Sequence, residues 1–355
     1  MERLKQYTYL RVKTLGQQQI SIVGMGYVGL CTAVGFASKG NKIIAVDKDP
    51  EKVNLINSGL PPFYEPDLNI HLQEAIKGGC LKCTLDLKES VLNTDVTFIT
   101  VGTPSKADGS IDLRQIKESA IEIGKALNTK NVYHLIVVKS TVLPHTTENV
   151  VKPILEKESN KRCGSGFGLC MNPEFLREGC AFHDTLHPDR VVIGEYDERS
   201  GNALDALYQN FYADKTPPTL RTNLPTTELI KYANNAFLAT KISYINTIAN
   251  ICEKISGTDV NTVAEAIGLD RRINPKFLRA GLGYGGSCFP KDLNALIAFA
   301  KQQNYLPSIL QAVQKVNDDQ AKHVIELVRR ELGNLSEKKI AILGSTGSIG
   351  RNALE

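Results

Sequence analysis

At 355 residues the chain is long enough for two domains of ordinary size, each with its own core. Its 42% hydrophobic and 23% charged residues are those of an ordinary globular protein, and a net charge of +4 is too small to point to nucleic acid as a partner. No apolar run reaches the length of a bilayer span, and the opening MERLKQYTYLRVKTLGQQQ holds no continuous apolar segment for a signal peptide, so no membrane attachment and a cytoplasmic location are expected.

Residues 1–18 read as an N-terminal extension. From 19 to 47 the chain reads strand, glycine turn, helix, strand: QISIVG, then MGYVGLCTAVGFASKG, then NKIIAVD, with Gly40 ending the helix. Cys80 and Cys83 form a CxxC with no second pair downstream, so a solvent-side strand with spare thiols is favoured over a metal centre, and no metal is expected. The remaining six cysteines suit a reducing compartment better than a disulfide framework. Buried strands are predicted at Val96 to Gly102, Tyr133 to Thr141 and Arg190 to Gly194, and helices at 112–127 and 145–157. Strands alternating with helices mean a Rossmann-like, doubly wound parallel α/β sheet, here over 19–202.

From about residue 203 strand signals vanish. Helices are predicted at 225–256, 258–268, 291–303 and 307–333, forming a second, helical domain over 203–335, with Pro217, Pro218 and Pro225 punctuating the junction. Residues 336–355 start a new strand at Lys339 and a new glycine turn at Gly344, Gly347 and Gly350. That piece either pairs with an existing sheet or opens a third, truncated or divergent domain.

GMGYVG sets Gly24, Gly26 and Gly29 in GxGxxG spacing, after a strand and before a helix. The first glycine makes the turn, the second admits a pyrophosphate, and the third lets helix and strand pack closely; the free N–H groups of the helix start face the phosphates. Tyr27 and Val28 lie within that turn. Asp47 closes the next strand at the offset for a ribose 2′-hydroxyl, and its charge would repel a 2′-phosphate, so NAD is expected rather than NADP; Lys48 beside it argues the other way. In an open parallel sheet other loops at the carboxyl ends of strands face the same crevice. They are GTP (Gly102 to Pro104), STV (Ser140 to Val142) and NPEFLREG (Asn172 to Gly179), which make Thr103, Ser140 and Thr141 candidate cofactor contacts. For GTP taken alone, ordinary turn and cap chemistry is the favoured reading.

GLGYGGSCFPKD, Gly281 to Asp292, places Cys288 among glycines that allow close approach to the chain, and follows it with Lys291. A thiol acts as a nucleophile as thiolate, which a nearby cation favours. The alternative is a glycine-rich turn with an incidental cysteine.

GMGYVGL, YEPDL (Tyr64 to Leu68), KSTV, NPEFLREG, ELIKYANNAFLATKISYIN (Glu228 to Asn246), RRINPKFLRAGLGYGGSCFPKD (Arg271 to Asp292) and KKIAILG occur in this order, and the chain thereby resembles the UDP-glucose/GDP-mannose dehydrogenase family over about residues 19 to 343. The resemblance implies an NAD-dependent oxidation of a nucleotide-sugar C6 alcohol to a carboxylate. It gives Cys288 the covalent intermediate, Lys231 and Asn235 the oxyanion, and Glu174 and Thr141 the water, with Asp292 ordering that network. Taken alone, a Lys and an Asn four apart on a helix are more often a solvated face than a site. For the nucleotide sugar the resemblance points to Glu174, Phe175, Leu176, Arg177, Lys231, Asn235, Arg272, Arg279, Gly281, Gly283, Tyr284 and Gly285; for NAD it adds Lys52, Glu178 and Lys291. An arginine matching Arg272 reaches across a subunit interface in the family, so a homodimer or higher homo-oligomer through the helical dimerisation domain is implied. Ser287 and Phe289 flanking the cysteine resemble the UDP-glucose type rather than relatives acting on GDP-mannose or N-acetylated hexosamines.

After Gly344 the chain departs from the family: STGSIGRNALE is similar to the phosphate turn of a different dinucleotide-binding family, and a third domain without the family's basic residues is expected. Beside the family activity two further readings therefore stand: oxidation of another nucleotide sugar or a smaller β-hydroxyacid, and an inactive NAD-binding form.

Overall fold

The computed structural model describes residues 18–213 and 215–336. The expected N-terminal extension, apart from Gln18, and the strand and glycine turn expected from Lys339 onward lie outside the described residues.

In chain order the elements are β1 (Gln19–Val23), α1 (Tyr27–Ser38), β2 (Lys42–Val46), α2 (Pro50–Asn57), α3 (Leu68–Lys77), β3 (Leu81–Thr84), α4 (Leu87–Leu92), β4 (Val96–Ile99), α5 (Arg114–Thr129), β5 (Leu135–Val138), a π-helical turn (Thr147–Val151), α6 (Lys152–Ser159), β6 (Gly168–Met171), α7 (Ala181–Leu186), β7 (Val191–Glu195), α8 (Glu198–Phe211), β8 (Thr219–Asn223), α9 (Leu224–Cys252), α10 (Val260–Gly268), α11 (Phe289–Gln302) and α12 (Ser308–Leu332). Over the described residues they fall into two compact units, the first ending at Lys231 and lacking residues 104–111, which belong with the residues from Tyr232 onward in the second.

The first unit is a Rossmann-like α/β layer structure. Its eight strands run in the order β3-β2-β1-β4-β5-β6-β7-β8, so the sequence order reverses where β1 meets β4. The strands are short and apolar on both sides because helices cover both faces. Ile20, Ile22, Ile43, Ala45, Phe98, Leu135 and Val137 point to one face and pack with Leu30 and Val34 of α1 and Leu204, Leu207 and Phe211 of α8. Val23, Val46, Ile99, Ile136 and Val138 point to the other and pack with Ile116, Ala120 and Ile123 of α5 and Leu155 of α6.

The structure departs from the expected all-parallel sheet at one place: β6 and β7 pair antiparallel, Met171 opposite Gly194. The connection between them carries only the six-residue helix α7, too short to return the chain to the start of the sheet. Strands β6 and β8 were not anticipated. GLCM in β6 is a four-residue run next to glycine-rich sequence, and TLRTN in β8 is a half-exposed, polar edge strand just after two prolines, so neither carries a strong buried-strand pattern. Cys83 lies buried in β3, and burial pushes its thiol up to about 12, which keeps it protonated.

The second unit comprises the later part of α9 with α10, α11 and α12 around a small core of Ala236, Ala239, Tyr284, Leu293, Ile297 and Val313. These helices match the predicted spans within a few residues. Among the described residues no helix is long and apolar enough to cross a membrane.

Candidate functional site

The register of the sheet fixes where the candidate groups stand. Val46, Val23, Ile99, Val138 and Met171 are consecutive partners across β2, β1, β4, β5 and β6. The residues that follow them, Asp47, Gly24, Thr100, Lys139 and Asn172, therefore line one carboxyl edge beside the switch in strand order. Ligands of open α/β sheets bind at such an edge.

The glycine turn has the three properties a dinucleotide pyrophosphate needs. Gly24 turns the chain at φ +97°, and its N–H donates to Val46 O at 2.7 Å. Gly26 faces open space, with nothing within 4 Å of where a Cβ would stand, and as N-cap of α1 it offers no side chain to the free N–H groups of the first turn. Gly29 has no such room: a Cβ there would lie 1.9 Å from Gly24 O. Thr100 Oγ1 donates to both Val23 O and Gly24 O at 2.8 Å and pins the turn. Asp47 accepts from Met25 N–H at 2.7 Å, from Asp49 N–H at 3.1 Å and from Lys52 Nζ at 3.1 Å, which aims the carboxylate along the turn and pairs Lys52 with it. These residues fit NAD.

Neighbouring loops are tied in. Thr103 Oγ1 donates to Thr141 O at 2.8 Å and Ser140 Oγ donates to Val101 O at 2.6 Å, leaving the half-buried Thr141 hydroxyl without a hydrogen bond among the described residues. Tyr27 donates to the buried carboxylate of Glu65, which also accepts from the N–H groups of Gly179 (3.1 Å) and Phe182 (3.3 Å). Glu65 sits in YEPDL, yet nothing in its residue type or spacing reveals that it joins the glycine turn to the loop after β6.

Glu174 lies in that loop, 8% exposed, with Lys231 Nζ 2.9 Å away and 4% exposed. Burial pushes the Glu174 carboxyl up, but Lys231, the Leu176 N–H at 2.7 Å and Lys139 together outweigh it and hold the group below the usual carboxylate range. It is therefore an anion at neutral pH. Lys139 was missed by sequence reasoning. It is fully buried, its ammonium donates to Asn172 Oδ1 at 2.8 Å, and burial brings its pKa down to about 8 while Glu174 opposes that and Lys231 adds to it. Asn172 is itself fixed, with Nδ2 donating to Val192 O at 2.8 Å and Tyr208 OH donating to its Oδ1 at 2.5 Å. The signal was available in KSTV, where a lysine directly follows an apolar strand and so has no solvent side.

Of the other residues in that loop, Phe175 lies under Arg190 (3.9 Å from the guanidinium to the ring centre) and 5.5 Å from Lys231 Nζ. Leu176 is partly buried against the sheet core. Arg177 is bound by Asp184 through Nε (2.8 Å), Nη2 (2.6 Å) and its own N–H (3.2 Å). Glu178 is exposed.

In the helical unit, Cys288 is the exposed N-cap residue of α11, and its Sγ lies 3.6 Å from Ser287 Oγ. One turn on, Asp292 is 1% exposed and has both oxygens engaged, Oδ1 by Lys291 Nζ at 2.6 Å and Oδ2 by Asn235 Nδ2 at 2.7 Å. The Lys291 ammonium thus lies on a carboxylate. Lys231 and Asn235 fall one turn apart on α9 and are both buried, so the solvated-face alternative does not hold. The loop before Cys288 carries Gly281, Gly283 and Gly285 around the buried Tyr284, while Arg279 is exposed and Arg272 is paired with Asp270 at 2.7 Å on the surface. Among the described residues no cluster of His, Cys, Asp or Glu could hold a metal ion.

Residues 18–212 match the NAD binding domain of the UDP-glucose/GDP-mannose dehydrogenase family, and residues 225–319 match the central domain of the same family. A UDP-glucose 6-dehydrogenase of Haloferax volcanii is 46% identical over 327 residues, covering 92% of this chain and 75% of the relative. A GDP-mannose 6-dehydrogenase of Pseudomonas syringae is 38% identical over 338 residues, covering 95% of this chain and 75% of the relative. Among solved structures, a UDP-glucose dehydrogenase from the hyperthermophilic archaeon Pyrobaculum islandicum aligns with a TM-score of 0.85 at 40% identity, over 91% of this chain and 72% of that one. With its cofactor turn, its buried lysine–carboxylate pair and its exposed cysteine at a helix start, the chain is an NAD-dependent dehydrogenase and belongs to the UDP-glucose/GDP-mannose dehydrogenase family.

Proposed function

We propose that this protein oxidises UDP-glucose to UDP-glucuronate, with Cys288 as covalent carrier and two NAD consumed per sugar. The observation that supports this best is the anchoring of Asp292 by Lys291 and Asn235 one turn after the exposed N-cap residue Cys288. A surface cysteine on a structural turn has no need of a buried carboxylate held at both oxygens.

Bound NAD supplies a hydride acceptor for the C6 carbon, once at the alcohol and once at the thiohemiacetal. The chain's own groups supply the rest. Cys288 attacks as the thiolate, the form in which a thiol is a nucleophile. That sulfur forms a bond to the C6 aldehyde carbon, and the carbonyl oxygen becomes an oxyanion that Lys231 and the second N–H of Asn235 Nδ2 stabilise before it is protonated. After the second oxidation the same carbon is a thioester. Glu174 and Thr141 orient the water that adds to it, the C–S bond breaks and the thiolate of Cys288 is restored, while Asp292 keeps Asn235 in place.

Asp47, Lys52, Thr103, Ser140, Glu178 and Lys291, with the Gly24 to Gly29 turn, hold the cofactor. Phe175, Leu176, Arg177, Arg279 and the loop Gly281 to Gly285 hold the nucleotide sugar, with Arg272 reaching it in a second copy of a homo-oligomer. A cytoplasmic location belongs to the same proposal. Incubation with UDP-glucose and NAD tests it: two NADH per uronate are expected, and one NADH with free aldehyde would remove Cys288 from the reaction.

The 38% identical GDP-mannose 6-dehydrogenase supports a second reading, in which GDP-mannose is the better substrate. A kcat/KM for GDP-mannose above that for UDP-glucose would establish it. NAD binding without NADH from either sugar would leave a binding protein.

A further inference from the structure

We propose that Asn317 and Gln320 of α12 and Asn246 of α9 are positioning residues that set the conformation of the loop 281–286, and that Asn317 governs affinity for the nucleotide sugar. This rests on the reading that the loop contacts the sugar.

Four glycines in six residues, with Gly283 at φ +98° and Gly286 at φ +85°, give a loop that would sample many shapes if left alone. It belongs to no helix or strand, so its N–H and C=O groups must find partners elsewhere. Side-chain amides provide them. Gly281 N–H donates to Asn246 Oδ1 at 2.8 Å, and Gly281 O accepts from Gln320 Nε2 at 3.0 Å. Tyr284 N–H donates to Asn317 Oδ1 at 2.7 Å, and Tyr284 O accepts from Asn317 Nδ2 at 3.1 Å. Both main-chain groups of two loop residues are thus held as a neighbouring strand would hold them. Gln320 is oriented in turn by Asn250 Nδ2, which donates to its Oε1 at 3.4 Å.

The fit around Asn317 is tight as well as polar. A Cβ at Gly283 would lie 2.5 Å from Asn317 Oδ1, so the loop closes directly on that amide. Tyr284, fixed at both main-chain groups, sends a buried ring edge-on to Phe289, the residue after Cys288, with centroids 6.1 Å apart. A buried apolar side chain would serve packing with less demand for exact partners; amides paired twice serve geometry. The physical consequence is preorganisation: the loop is ordered before substrate arrives, so binding does not bear the cost of ordering it.

Asn317→Leu removes both bonds while keeping the branched skeleton of the side chain, and Asn317→Asp keeps the acceptor for Tyr284 N–H but loses the donor. For Asn317→Leu the KM for UDP-glucose should rise about tenfold, as expected for losing two partly buried bonds, with kcat changing less and the KM for NAD unchanged; Asn317→Asp should fall between. Hydrogen exchange at the Tyr284 amide should quicken in Asn317→Leu while β1 and β4 amides stay protected. Faster exchange with an unchanged KM for the sugar would overturn the proposal, as would a rise in both KM values together with a lower Tm. Should Asn317→Leu fail to fold, Gly283→Ala drives a methyl group at Asn317 Oδ1 and should give the same rise in sugar KM; a wild-type KM there overturns it equally. If the wild-type protein oxidises no nucleotide sugar, the proposed function fails by itself, and unchanged Tyr284 exchange in Asn317→Leu then decides against the clamp.

Discussion

The sheet unit and the helical unit hold their candidate groups by different means. Along the sheet edge the pairing of β2, β1, β4, β5 and β6 places Asp47, Gly24, Thr100, Lys139 and Asn172 side by side, and main-chain bonds that the fold makes anyway supply the precision. In the helical unit the loop before Cys288 has no strand beside it, and residues 33 to 39 positions away lend it their amides. A cofactor cradle of the first kind comes with the architecture. A loop of the second kind depends on a few side chains whose loss the architecture does not repair.

Substitutions at the chemistry should produce the largest effects in both units. With Cys288→Ser, uronate formation should fall on the order of 10³-fold or below detection, since loss of a nucleophile removes the whole covalent route, while NAD affinity stays within about twofold. Unchanged uronate output would return Cys288 to the incidental-turn reading. Lys231→Ala should lower kcat by about 10²- to 10³-fold, the usual cost of one oxyanion donor. It also leaves the buried Glu174 dependent on Lys139, so a lower Tm should accompany the rate loss. A kcat near wild type would place the oxyanion on other groups.

Within the sheet unit two glycines of the turn, Gly26 and Gly29, separate binding from folding. Gly26→Val projects into open space beside the uncapped start of α1, so the Kd for NAD should rise on the order of 10- to 100-fold at an unchanged Tm. Gly29→Ala meets Gly24 O at 1.9 Å, so the main effect should be a fall in Tm, with NAD affinity following it. Titration calorimetry and thermal melts on the two variants read the contrast. Reversed effects would mean that the open space at Gly26 is not where the cofactor lies.

The same contrast governs how much could be read from the sequence. GMGYVG, Asp47 and the strand ends were legible because a parallel sheet repeats one local pattern and puts its strand ends together. Long helices such as α9 and α12 were legible from their apolar spacing. Glu65, Lys139 and Asn317 were not. Glu65 acts through Tyr27 and Gly179, far away in the chain, and Asn317 acts through Gly283 and Tyr284. Polar residues that satisfy main-chain groups at long range leave no periodicity. β8 escaped for a related reason, since an edge strand needs neither an apolar run nor strict alternation.

Glu228 sharpens the comparison with the smallest expected effect, because it belongs to the sheet unit yet works as the loop's amides do, through a side chain bonded to main-chain groups far away in the chain. It lies buried near the start of α9, and its Oε1 accepts from Thr147 N–H in the π-helical turn at 2.7 Å, while Oε2 has no hydrogen-bond partner among the described residues. Burial raises its pKa from 4.5 to about 7; hydrogen bonds from Thr147 and His145 oppose the rise and nearby Glu148 adds to it. The folded state therefore keeps a proton that the unfolded chain gives up. Below pH 4.5 both states are protonated and this contribution is fully present; as pH rises from 4.5 through 7 the unfolded chain ionises first and the contribution is lost. A shift of that size corresponds to about 3 kcal/mol across the window. Glu228→Gln keeps an acceptor for Thr147 and cannot ionise. Its Tm relative to wild type should therefore climb by several degrees between pH 5 and pH 8, in thermal melts at constant ionic strength. A difference that stays flat across that range would mean that Glu228 is already ionised in the fold, and that the start of α9 is held by charge rather than by a shared proton.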